Sequence, residues 1–165
     1  MKKNTYILIT LILLISSCKK HNTNDGGSWT FKGQTFNMMG CSATSGVALS
    51  YYSGIAGGTS TAIDNRLSVE FGTWLLPTIG LTDTVISGMI TSTNQANISM
   101  ILGYTSTTGL GGTHYHSTGG NGNQTISISV SSAGKIAVSG SSIMMVNDTL
   151  PSDSALLNFN ISQTN

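Results

Sequence analysis

The chain has 165 residues, seven Lys and Arg against six Asp and Glu, and 8% charged residues, where typical globular proteins carry about 25%. Without residues 1–17, five bases remain against six acids, a net charge of −1. That balance excludes a nucleic-acid footprint and a polybasic membrane patch, leaves solubility to Ser, Thr, Asn and Gln, and removes most side chains that catalysis uses.

The N-terminus reads MKKNTYILITLILLISSC. Lys2 and Lys3 precede Tyr6–Ile15, a run that is apolar except for Thr10. A bilayer-spanning helix needs about 20 apolar residues, so this shorter run predicts a secretory signal peptide over residues 1–17. Ile15-Ser16-Ser17-Cys18 resembles a bacterial lipobox: a branched aliphatic, two small residues that fit a peptidase site, then a cysteine whose sulfur accepts diacylglycerol. Cys18 then becomes the acylated first residue of a palmitate-type lipoprotein. Two or more acyl chains, at about 0.8 kcal/mol per buried CH2, anchor stably where one does not. With Cys18 in a thioether, Cys41 has no intrachain partner, so the sequence predicts a small buried apolar side chain there and a fold resting on its core.

Residues 18–27 read as the lipidated cysteine and a polar tether. Its nine residues from Lys19 to Gly27 reach at most about 30 Å extended and roughly 15–18 Å as a coil. From residue 28 to 165 the period becomes two. SWTFKGQTF predicts a hairpin with Trp29 and Phe31 on one face and a turn at Lys32-Gly33. GVALSYYS predicts a strand on which Tyr51 and Tyr52 face opposite ways. RLSVEFG puts Leu67, Val69 and Phe71 inward, with Ser68 and Glu70 outward. ANISMILGY puts Ile98, Met100, Leu102 and Tyr104 on one face. THYHS, if extended, sends His114 and His116 to one face and Tyr115 to the other. GGNGN reads as a turn using the backbone freedom of glycine. QTISISV alternates Ile126, Ile128 and Val130 with serines, Ser132–Gly134 turns the chain, KIAVSG follows with Ile136 and Val138, and SALLNFNIS aligns Ala155, Leu157, Phe159 and Ile161. No 3.6-residue period persists over three turns. These features predict an all-β fold, a single-domain antiparallel β-sandwich, with a partly open β-barrel as the alternative.

The order of lipobox, FKGQTF, RLSVEFGTWLLPTIGL, HSTGGNGNQTISISV and KIAVSGSSIMM resembles a broad group of small Bacteroidota lipoproteins, mostly β-sandwiches of unknown function. Gly134–Gly140, GKIAVSG, fits the group's G-x-[IV]-x-[IV]-[ST]-G run. The resemblance implies fold and location and brings no catalytic residues. Lys-Lys-His-Asn after Cys18 lacks the acidic run that resembles a surface-export signal in such lipoproteins. The expected location is therefore the outer membrane, lipid-anchored, on the periplasmic face rather than the cell surface.

Candidate sites are few. His114 and His116 could share a divalent metal, but a structural zinc needs four ligands and a catalytic one usually three, and the flanks supply none. No cofactor is expected, a divalent metal being the alternative. There is no G-x-S-x-G elbow and no phosphate-cradling glycine loop before a helix. Asp64 and Glu70 share strand parity, but Glu70 reads as a solvated face rather than half of a glycosidase pair. Trp74, in the apolar run GTWLLPTIGL broken by Pro77, and Tyr51 or Tyr52 are the candidate ligand-binding rings. Asp83-Thr84-Val85, Asp148-Thr149-Leu150 and Asp153-Ser154-Ala155 match an Asp-Ser/Thr-aliphatic pattern that resembles O-glycosylation sites of that bacterial group, which would modify Thr84, Thr149 and Ser154. The expectation is a membrane-anchored cell-envelope lipoprotein with a non-enzymatic binding or structural role, partnered by the membrane through Cys18 and by a glycan or envelope protein. A metal-binding or weakly catalytic domain centred on His114 and His116, and a glycan-binding module, are the alternatives.

Overall fold

A computed structural model describes residues 26–44, 48–55, 63–73, 75–105 and 111–163. The fold is all-β, with eleven strands among the described residues: β1 (Gly27–Phe31), β2 (Gln34–Asn37), β3 (Gly40–Thr44), β4 (Ala48–Ile55), β5 (Ile63–Phe71), β6 (Leu81–Ile86), β7 (Gln95–Thr105), β8 (Thr113–Ser117), β9 (Thr125–Val130), β10 (Ile136–Asn147) and β11 (Ser154–Ser162). They form one continuous sheet in the order β2-β1-β11-β10-β9-β6-β7-β5-β4-β3, with β8 joining β10 to β7. The pairings therefore return on themselves through β10, β9, β6, β7 and β8. Both wings contribute to one core, Phe31, Phe36 and Leu157 from one side and Leu49, Tyr51 and Leu67 from the other, as in a sandwich. Each such side chain contributes roughly 1.5–3 kcal/mol through burial.

The expected alternation appears where it was cleanest. Leu67, Val69 and Phe71 on β5, Ile126 and Ile128 on β9, and Leu157, Phe159 and Ile161 on β11 are buried, with polar residues between them facing out. The first hairpin turns at Lys32 and Gly33, both at positive φ (50° and 74°), the backbone a two-residue turn needs to match strand twist. Trp29 stacks on its cross-strand partner Phe36, ring centroids 5.5 Å apart.

Two one-residue bulges break the alternation. On β10 the register shifts between Gly140 and Ile143, with Ser142 at φ 56°. Its N–H is taken by Asn158 Oδ1 (2.8 Å) and its carbonyl by Gln124 Nε2 (2.8 Å). The inward parity moves from Ile136 and Val138 to Ile143 and Met145, and the free edge of β10 passes from β9 to β8. On β7 the extra residue lies at Gly103 (φ 73°), whose N–H donates to Asn65 Oδ1 at 3.0 Å. The side chain of Tyr104, placed by sequence with Ile98 and Met100, lies outside the described residues.

One pairing departs from the antiparallel expectation: β6 and β7 are parallel. Parallel neighbours usually need a crossover of a dozen or more residues. Here residues 87–94 suffice because the pairing covers only Thr84–Ile86 against Gln95–Asn97, so the chain steps back a short way. Ile90 is buried beneath that step, and Asn97 Nδ2 donates to Gly88 O at 2.7 Å.

Cys41 is buried as expected, but its sulfur is held in a disulfide whose other half lies outside the described residues. The reading of Cys41 as an unoxidised apolar side chain is corrected accordingly.

Candidate functional site

The densest polar constellation joins the first hairpin to the turn before β11. Tyr115, on β8 between His114 and His116, points inward and packs edge-on against Phe31 at 4.9 Å between centroids. Its hydroxyl accepts from Lys32 Nζ (2.8 Å) and donates to Asp153 Oδ2 (2.9 Å). Lys32 also pairs with Asp153 Oδ1, and its ammonium lies 4.9 Å from the centroid of the Tyr115 ring. Asn147 Nδ2 donates to Asp153 Oδ2 at 3.1 Å, while its Oδ1 accepts from the Thr149 and Leu150 N–H groups and the Thr149 hydroxyl. The left-handed backbone at Lys32 is thereby offset by its contacts with two side chains, Tyr115 and Asp153, the situation in which local strain persists.

The Lys32 ammonium, first among its partners, holds the Asp153 carboxyl down at about 2, and Asp153 in turn raises the Lys32 pKa. Both groups move away from neutrality, opposite to what a general acid or base requires. The constellation is chemically a clamp. It follows that stability conferred by Asp153 is fully present above its ordinary value of 3.8 and is lost as pH falls towards 2. Asp153→Asn should lower the melting temperature at neutral pH and flatten the decline between pH 4 and 2, which thermal melts across that range would show.

His114 and His116 stand together on the outer face of β8, as alternation predicts. His116 Nδ1 lies 2.7 Å from Asp148 Oδ1, and the Asp148 N–H donates to the His114 carbonyl at 3.0 Å. A carboxylate thus meets one of the two rings, but among the described residues no three His, Cys, Asp or Glu side chains gather around a common point. Of the tyrosine pair, Tyr51 is fully buried, its hydroxyl has no hydrogen-bond partner among the described residues, and burial pushes its pKa up. This corrects its candidacy as a surface ligand contact. Tyr52 is half-buried and lies 5.0 Å from the Arg66 guanidinium. Trp74 and Cys18 lie outside the described residues.

The three candidate glycosylation positions differ in access. Thr149 and Ser154 are exposed, whereas Thr84 is half-buried between β9 and β7 beside a fully buried Asp83. Asp83 shares inward parity with Val85, and neither carboxylate oxygen has a hydrogen-bond partner among the described residues. Burial pushes its pKa up to about 6. The sequence signal for this burial was the inward period Leu81, Asp83, Val85.

A feature not foreseen from sequence is an open groove of about 450 Å³ across β6, β9 and β10. Hydroxyls of Thr82, Thr125, Ser127, Ser139 and Ser141 line it over Gly140 and Phe159. The signal was present in the Ser and Thr residues opposite Ile126 and Ile128, but strand order could not be read from it. Comparison with protein-family models, curated proteins and solved structures returns no match.

Proposed function

We propose that the protein is a cell-envelope lipoprotein, anchored to the outer membrane through acylated Cys18, a form in which the Cys18 thioether takes the place of the Cys41 disulfide, with a non-enzymatic binding or structural role on the periplasmic face. The observation that carries this reading is the ordered run of Lys2-Lys3, Tyr6–Ile15 and Ile15-Ser16-Ser17-Cys18, followed by a short polar tether and a β domain. The domain's polar chemistry supports the non-enzymatic part. Lys32, Tyr115, Asp153 and Asn147 satisfy one another, and the pKa shifts of the charged pair suit fastening rather than proton transfer. Supplying an alkyne-tagged fatty acid to cells tests the anchor. Wild type takes up label, while Cys18→Ala takes up none and retains residues 1–17; an unlabelled wild-type protein would overturn the reading.

A glycan-binding role is the second reading, and the hydroxyl-lined groove favours it. Five side-chain hydroxyls on a rigid sheet offer donors and acceptors to a polyhydroxylated ligand. A change of the Ser127 and Ser139 backbone amide signals on titration with envelope oligosaccharides would support it, and unshifted signals would remove it.

A further inference from the structure

Among the described residues, large apolar side chains are exposed chiefly at one end of the sheet. Leu75 and Ile79 are each 69% exposed and Met89 is 83% exposed. Their loops are not loosely held. Leu76 packs against the core and Pro77 is buried in the first, and Ile90 is buried in the second. Gly72 N–H donates to Gln95 O at 2.8 Å, and the Thr73 hydroxyl donates to Leu75 O. The two loops are therefore fastened to each other at Gly72, with Leu75 and Met89 flanking the junction and Ile79 beside Gly80, which packs on Ile128 and Ser129 of β9. Rigid loops that bury some apolar residues and display others present a surface rather than a collapsed core.

The same end receives the chain from the N-terminal tether. Ser162 N–H donates to Gly26 O, Gln163 N–H donates to Ile136 O, and β10 pairs with β9 from Ile136 against Val130. A continuous hydrogen-bonded path thus leads from the tether entry at Gly26 across β11, β10 and β9 to Gly80. At about 4.8 Å per strand, the entry and the apolar loops stand roughly 15–20 Å apart. Lys135 lies half-exposed in the turn between β9 and β10 at this end, and Glu70 is the exposed acid there. Of the other exposed apolar residues, Leu150 lies in the turn at the opposite end and Leu156 on the outer face of β11.

We propose that this end of the sheet docks on the bilayer that holds Cys18, with Leu75, Ile79 and Met89 entering the interfacial region as a second contact beside the acyl chains. The inference rests on the lipoprotein reading above. Lys19–Asp25, the seven residues before the entry at Gly26, limit that entry to about 25 Å from the lipid, and a coil of that length favours roughly half that distance. Apolar residues flanking the entry are then held at the depth where amphipathic surfaces bind, about 5–10 Å into the headgroup boundary. Docking would fix the orientation of the domain and turn the Lys32–Tyr115–Asp153 end away from the membrane.

The test uses the full chain, expressed with lipoprotein processing, purified in detergent and reconstituted into phosphatidylethanolamine/phosphatidylglycerol vesicles with and without brominated acyl chains. A Trp74→Phe background leaves buried Trp29 as a constant reference. Ile79→Trp and Met89→Trp should each lose about half or more of the reporter fluorescence in brominated vesicles, and Leu150→Trp none. If the protein carries its lipid and floats with the vesicles, yet neither reporter is quenched, the loops face solvent or protein and docking is overturned while the anchor stands. If the purified chain carries no lipid, the anchor reading falls and docking falls with it.

Discussion

Replacing Asp83 by Asn should raise the melting temperature at pH 8 by roughly 5–10 °C and leave it nearly unchanged at pH 4. Asp83 has no solvent exposure and no partner for either oxygen among the described residues. Burial moves its pKa from 3.8 to about 6. Between those values the folded chain holds a proton that the unfolded chain has released. Its contribution is therefore fully present below 3.8 and is lost as pH rises through 6. A shift of that size corresponds to about 3 kcal/mol of stability lost by neutral pH. Asn keeps the shape of the protonated acid and cannot ionise. Thermal melts of both proteins between pH 4 and 8 check this; parallel pH profiles would show that the Asp83 carboxyl finds a partner in solution. With the opposite slope from Asp153 below 3.8, the two groups together should make the wild type most stable near pH 4.

Gly72→Ala should be among the most damaging single-methyl additions, costing about 3 kcal/mol and lowering the melting temperature by roughly 6–12 °C. A Cβ at this position would stand 2.0 Å from Ser92 O, 2.9 Å from Gln95 O and 3.1 Å from Ile90 Cγ2. Two of those neighbours are backbone oxygens, which cannot turn aside. The loop carrying Leu75 and Ile79 would have to lift from the start of β7 and give up the Gly72–Gln95 hydrogen bond. Gly40→Ala is the matching control, because a Cβ there meets nothing within 4 Å among the described residues and the backbone is not left-handed. Equal melting temperatures for the two variants would show that the 72–80 loop yields freely and is not fastened as described.

Local pattern made much of this fold legible. Trp29, Phe31 and Phe36 around Lys32-Gly33 announced the first hairpin, and strict alternation announced β5, β9 and β11. Legibility failed where an extra residue reversed the parity, as at Ser142, whose bulge is held by Asn158 and Gln124 from distant strands. It failed too for the parallel β6–β7 pair, because three-residue overlap leaves no helical crossover to recognise. The candidate site was less visible still. Lys32 and Asp153 are 121 residues apart, and neither has a neighbour in sequence that hints at the other. His114 and His116 were correctly placed on one face, but the carboxylate that meets His116 comes from Asp148, beyond the end of β10. The Asp83-Thr84-Val85 match offered Thr84 for modification and said nothing of Asp83, whose inward parity with Val85 gives its position.

The anchor at Cys18 is the claim on which orientation, location and membrane docking depend. It is tested most directly by the intact mass of the protein extracted from the envelope of its own host. The expected mass is that of residues 18–165 plus a diacylglyceryl group and an amide-linked acyl chain, with any further hexose-type increments locating glycans to be mapped at Thr149 or Ser154. A sulfur bonded to glyceride cannot also join a disulfide, so the same spectrum decides between the two fates of Cys18. A mass without lipid, lighter by the pair of hydrogens that a disulfide removes, would contradict the lipoprotein reading.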